Sequence, residues 1–191
     1  MTLSTTTAPL QTGLGRLDAV TTTFPGGVRS MEEHATTFTP DQGVEFAAIN
    51  LHPELKYQEI RGWGGAITEA AGYAFSQMSP ERQEQILDAY FGPTGNNYSV
   101  VRMHLDSSDF SLGTYEAVPE DDPTLESFSL ARDEQYVLPL LRRAQARSSA
   151  PLEVLLSAWS PPAYMKTNGS RVVGGSLKPE YRATWARYIA R

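Results

Sequence analysis

The sequence contains no cysteine. Disulfide bridges, thiolate metal sites and cysteine nucleophiles are therefore excluded. It has three histidines, His34, His52 and His104, and none lies at the close spacing typical of a metal site. No metal and no other cofactor is expected. No apolar run approaches the ~18 residues that a membrane span requires. The N-terminal stretch MTLSTTTAPLQTGLG lacks both the basic n-region and the apolar h-region of a secretory signal, so the chain as written is expected in the cytoplasm.

What is present fits a soluble globular protein. The chain has 191 residues, 40% of them hydrophobic, enough for one sizeable core or a share of a larger one. Charge is unevenly placed. Residues 136–191 hold nine basic and two acidic residues, although the whole chain has a net charge of −6. A basic segment can signal nucleic acid. Here the basic residues recur at helical spacing (Arg142, Arg143, Arg147; Arg182, Arg187, Arg191), which predicts solvated helix faces instead. No nucleic-acid partner is expected.

Hydrophobic patterning gives an order of elements. Residues 1–42 are rich in Thr, Ser, Gly and Pro and are expected to be poorly ordered. VEFAAINL (44–51) and YQEIRGW (57–63) have strand composition. SPERQEQILDAYFG reads as a helix, with Ser79 as its cap, Pro80 in its first turn and Gly92 at its end. YSVVRMHL (98–105) is a strand, and DEQYVLPLLRRAQAR (133–147) a helix containing Pro139. LEVLLSA (152–158) is a strand, and KPEYRATWARYIAR (178–191) a helix. From residue 58 the order is strand, helix, strand, helix, strand, helix. Short apolar strands alternating with helices predict an α/β fold with a parallel sheet. Right-handed crossovers then bring every strand's C-terminal end to one rim, where ligands bind.

The segments after these strands carry the chemistry. GWGGAITEAAG is glycine-rich, but Ile67 occupies the third glycine position of a nucleotide-binding loop. HLDSSDFSLGTYE supplies Asp106, Ser107, Ser108 and Asp109 beside Phe110. LLSAWSPPAYMKTNGS stops a core strand and presents Trp159, Tyr164, Lys166 and Asn168. Carboxylates, amides and aromatic faces on one rim suit a sugar, whose hydroxyls need acceptors and whose C–H faces need a platform. Each residue also has a structural alternative. Asp109 could cap a turn, Trp159 could be a core aromatic, and Arg102 could be an ion-pair partner. Glu69 is expected to face solvent or cap a helix. His104 is expected to be packed and hydrogen-bonded.

YQEIRGWGGAITEAAG, VVRMHLDSSDFSLGTY, LLSAWSPPAYMKTNG and GSLKPEYRATWARYIAR, in this order, resemble the first half of the family 30 glycoside hydrolases, the glucosylceramidase group. The resemblance implies the N-terminal part of a (β/α)8 barrel, about three βα units, over 58–191. It implies strands of a β-sandwich side domain over 43–57. It implies a retaining β-glycosidase acting on a β-glucoside such as glucosylceramide, or on a related β-glycan. A carbohydrate or glycolipid is then the partner. Asp109 matches the family's sugar-binding aspartate, Trp159 its sugar-contacting tryptophan, and Arg102 an arginine that supports the catalytic carboxylate. Tyr164 stands where Trp is common and bears on substrate fit. Trp63, Glu69 and Ser108 replace the family's usual Phe, Asp and Cys. The resemblance places both catalytic glutamates beyond residue 191, one of them in an Asn-Glu-Pro context that this sequence does not contain. No catalytic residue is therefore expected in this chain. An incomplete barrel without hydrolytic activity is expected, and a carbohydrate-binding α/β module without catalysis is the alternative.

Overall fold

The computed structural model describes residues 17–24, 30–37, 52–119 and 121–191. The chain divides into two compact units, residues 1–57 and 58–191. In the first, β1 (Leu17–Thr23) and β2 (Ser30–Thr36) pair as an antiparallel hairpin, with Leu17 opposite Thr36 and Thr23 opposite Ser30. Composition alone predicts poor order for residues 1–42, and it overlooks this pairing. Threonine is polar but β-branched, so a Thr-rich stretch can still favour a strand. The expected strand 44–51 lies outside the described residues. Residues 52–57, the described part of the expected side-domain strands, form a turn closed by Leu55 N–H on His52 O and carry no ladder pairing.

The second unit is built on a parallel sheet in the order β3 (Gly64–Ile67), β4 (Val100–Leu105), β5 (Glu153–Ala158). Gly64 sits opposite Val100, and Val100 opposite Glu153. Each strand pairs with the next one along the chain, as in a (β/α)8 barrel. The first strand corrects the sequence reading: residues 57–63 are not a strand, and β3 begins where the glycines begin. The reason is steric. A Cβ on Gly64 would lie 1.5 Å from the Val100 carbonyl oxygen, so only glycine allows this close an approach.

Four helices cover the sheet. α1 (Glu69–Ser76) and α2 (Pro80–Phe91) both lie between β3 and β4, where the sequence predicts one helix. α1 is short and contains Gly72. A Cβ there would meet the Tyr136 carbonyl at 2.5 Å, so Gly72 marks the crossing of α1 on α3 (Asp133–Arg147). α4 (Arg182–Ala190) follows β5 after two single-turn 3-10 segments. Ser79 caps α2 through Arg82 N–H, as expected. The main core joins Ile67, Val101 and Met103 of the sheet to Phe75, Leu87, Phe91, Val137 and Ala144 of the helices. A second core lies under the loops that follow β4 and β5: Leu105, Val118, Leu125, Met165 and Tyr188. β5 is an edge strand, and Val154, Leu155 and Leu156 all remain about half exposed. Among the described residues no helix is long and apolar enough to cross a membrane.

Candidate functional site

The site begins at the N-terminus of α1. A helix leaves its first N–H groups without partners inside the helix. Here three of them are taken. Thr68 Oγ1 accepts from Ala71 N–H at 3.2 Å, His104 Nε2 from Glu69 N–H at 3.0 Å, and the Phe110 carbonyl from Ala70 N–H at 3.0 Å. His104 therefore carries its proton on Nδ1, which donates to the Asp106 carbonyl at 2.6 Å. It is the packed, hydrogen-bonded histidine that the sequence predicts. These bonds also remove the phosphate cradle that GWGG invites, because the helix donors a phosphate would use are occupied.

Beside this helix end lies a small cavity of about 120 Å³, lined among others by Thr68, Arg102, His104, Ser108, Phe110 and Trp159. The guanidinium of Arg102 donates to Ser157 Oγ at 3.1 Å and lies over the Trp159 ring, 5.5 Å from its centre. Trp159 is 48% and Phe110 58% exposed, so both present open aromatic surface. Asp109 is exposed and sits between the lining residues Ser108 and Phe110. It does not cap the local turn. Ser108 Oγ accepts from Phe110 N–H, and Ser111 Oγ accepts from Ser108 N–H. Among the described residues no hydrogen-bond partner takes the Asp109 carboxylate. Ligand pockets typically enclose ~300–1,000 Å³. At about 120 Å³ this cavity falls below that range.

Two residues stand elsewhere than expected. Glu69 neither faces solvent nor acts as the cap: it is fully buried, while Thr68 caps the helix. Its carboxylate accepts from Arg132 Nε–H and from Leu112 N–H, the latter at 2.7 Å. Tyr164 packs in the second core, edge-on to Tyr181 at 5.7 Å, and does not line the cavity. Burial raises the pKa of its hydroxyl.

A second buried network supports the loops around the cavity. Asp106 adopts a left-handed backbone, φ 60°, and its carboxylate is fully buried. It accepts from Tyr188 Oη–H at 2.6 Å, Ala117 N–H at 2.8 Å and Arg171 Nη1–H at 3.1 Å. Arg171 also donates to the Ser107 carbonyl and pairs with Glu116 at 3.4 Å. Burial raises the Glu116 pKa, and Arg171 opposes that rise. Burial and the bond to Asp106 raise the Tyr188 pKa. Among the described residues no cluster of His, Asp and Glu could hold a metal ion.

Residues 60–191 match the glycosyl hydrolase family 30 TIM-barrel domain. The chain belongs to glycosyl hydrolase family 30. It is 37% identical over 150 residues to the lysosomal acid glucosylceramidase of Mus musculus, spanning 75% of this chain and 29% of that protein. The crystal structure of SrfJ from Salmonella typhimurium superposes with a TM-score of 0.79 at 36% identity, covering 92% of this chain and 39% of that one. The endo-β1,6-glucanase BT3312 superposes with a TM-score of 0.71 at 28% identity, covering 91% of this chain and 38% of that one. The chain thus spans about a third of the length of the relatives it matches.

Family 30 membership makes the parallel sheet part of a TIM barrel, and the cavity lies at its C-terminal rim. Of the residues matched to the family, Arg102 and Trp159 meet at this cavity, Asp109 flanks it, and Tyr164 does not reach it. Sequence reasoning missed the buried carboxylates of Glu69 and Asp106 and their partners Arg132 and Arg171. The signal was available only in part: an Asp at a strand end and an Arg in a loop, 65 positions apart, carry no local pattern.

Proposed function

We propose that this chain supplies one wall of the saccharide site of a retaining β-glycoside hydrolase of the glucosylceramidase type, acting on a β-glucoside or a related β-glycan. The observation that carries the reading is the meeting of Arg102 and Trp159 at a rim cavity flanked by the unpaired carboxylate of Asp109. In this reading Trp159 is the platform for a sugar face and Asp109 accepts from sugar hydroxyls. Arg102, held by Ser157, supports a carboxylate brought by another part of the barrel.

Retention requires two carboxyl groups about 5–5.5 Å apart, one as nucleophile and one as acid and base. The fully buried carboxylate behind the cavity wall, Glu69, has both oxygens committed to Arg132 and Leu112. Neither oxygen is free to act as a nucleophile. The catalytic pair in this reading lies outside residues 1–191, and these residues by themselves do not hydrolyse glycosides.

The test compares the 191-residue chain with the full-length natural protein, using a chromogenic β-glucoside, glucosylceramide and a β-1,6-glucan oligosaccharide. Turnover by the full-length protein alone is expected. Asp109→Asn should lower kcat/KM by roughly 10–150-fold, the loss of one or more bonds to a charged acceptor. Saccharide binding by the full-length protein without any turnover would replace this reading with that of a binding module. Turnover by residues 1–191 that Glu69→Gln abolishes would show the carboxylates misassigned.

A further inference from the structure

The turn that carries Asp109 and Phe110 is clamped to α1 at two points. Ala70 N–H holds the Phe110 carbonyl, and the Glu69 carboxylate holds Leu112 N–H. The second clamp is built from a charge that is fully buried. Burying a carboxylate costs several kcal/mol unless it is paired and hydrogen-bonded. Glu69 meets both conditions through Arg132, whose guanidinium also lies over the Tyr115 ring at 5.6 Å. The tyrosine in turn donates to Asp133 at 2.8 Å, and its own carbonyl accepts from Ser107 N–H at 3.1 Å. Both ends of the segment 107–115 are thus tied to one framework. Within it, Glu69 is the fully buried charge that bonds the turn directly.

We propose that Glu69 is a positioning residue for the saccharide wall: its carboxylate fixes the 108–112 turn, and with it Asp109 and Phe110, against the first turn of α1. This assignment rests on the function proposed above only where it invokes the saccharide. An amide cannot replace the carboxylate. It has one acceptor oxygen, so whichever way a glutamine side chain turns at this position, an amide N–H faces either Leu112 N–H or Arg132 Nε–H. Glu69→Gln therefore loses one clamp while keeping shape and volume.

The experiment uses the full-length natural protein and reads two quantities. One is hydrogen exchange of the amides in 108–112, with α2 as the internal reference; the other is the affinity for gentiobiose. Glu69→Gln should raise exchange in the turn about tenfold, leave α2 unchanged and weaken saccharide binding about tenfold, the equivalent of one hydrogen bond to a charged group. Leu112→Pro is the second variant. It removes the same N–H donor from a half-exposed position and leaves the Glu69–Arg132 pair intact, so it should reproduce both changes. Exchange that rises equally in α2 and the turn, or not at all, overturns the assignment: Glu69 is then only a core ion-pair partner. A loosened turn with unchanged affinity overturns its link to the saccharide. A wild-type protein that binds no saccharide overturns the function reading and the saccharide link with it, while the exchange result still decides the clamp.

Discussion

Replacing Trp159 by Ala tests the platform most directly, and its effect can be worked from exposed area. An aromatic side chain offers about 150–250 Å². At 48% exposure, about 100 Å² of Trp159 is open to a ligand. A sugar stacked on one face covers roughly half of that and buries a similar area of its own. At ~25 cal/mol per Å², the ~100 Å² removed from water contributes about 2.5 kcal/mol. That corresponds to about 60-fold in affinity. Part of it is already spent, because Arg102 occupies one side of the ring. We expect Trp159→Ala to weaken gentiobiose binding by about 10- to 60-fold, with Trp159→Phe falling between the variant and the wild type. Titration calorimetry on the full-length natural protein measures it. The control is Val101→Ala. Val101 is 1% exposed in the main core, so its truncation should cost about 2 kcal/mol of stability and leave affinity intact. Trp159→Ala should show the reverse pattern. Affinity within threefold of wild type would refute the platform and return Trp159 to the status of a loop aromatic.

Further expectations concern the two buried networks. Tyr188→Phe keeps the ring, which packs on Phe128 and Trp185, and deletes one donor to the Asp106 carboxylate. It should cost about 1.5–3 kcal/mol in urea unfolding, and a loss below ~0.5 kcal/mol would mean that Arg171 and Ala117 satisfy Asp106 alone. Asp133 has its pKa raised by burial, which the Tyr115 hydrogen bond opposes. The folded state therefore keeps this proton to higher pH than the unfolded chain. From the ordinary aspartate value of about 3.9 upward, stability from this group falls until the folded-state pKa is passed. Asp133→Asn still accepts from Tyr115 and lacks that loss. Its stability relative to wild type should rise as pH increases above about 4, and a difference independent of pH would exclude the effect.

The parts of the fold legible in the sequence were those set by local pattern. Ser79-Pro80 and the spacing of Val137, Leu140 and Ala144 fix α2 and α3 without reference to anything distant. β3 was misplaced and α1 was missed for one physical reason. Gly64 and Gly72 weaken a strand and a helix by propensity, yet each permits a backbone contact with a partner far along the chain. The hairpin β1–β2 was hidden by polarity. Asp109, Trp159 and Arg102 were singled out through the family motifs, and the structure brings Arg102 and Trp159 into contact. Glu69 was misjudged because its partners, Arg132 and Leu112, are 63 and 43 positions away. A glutamate at a helix start looks like a dipole partner until those residues arrive.

The strand order has a kinetic meaning. β3, β4 and β5 lie in the sheet in the order in which a ribosome releases them, and each new strand meets only its predecessor. Assembly can therefore proceed from the N-terminal side without waiting for a distant segment, and loop closure adds only a logarithmic cost at each step. The hazard moves with the growing edge. At the stage in which β5 has docked, Val154, Leu155 and Leu156 are half exposed beside unpaired N–H and C=O groups, a combination that recruits other chains. A chaperone that holds extended apolar segments would be expected to engage this protein at β5, and slowing translation once β5 has emerged from the ribosome would lengthen that exposure.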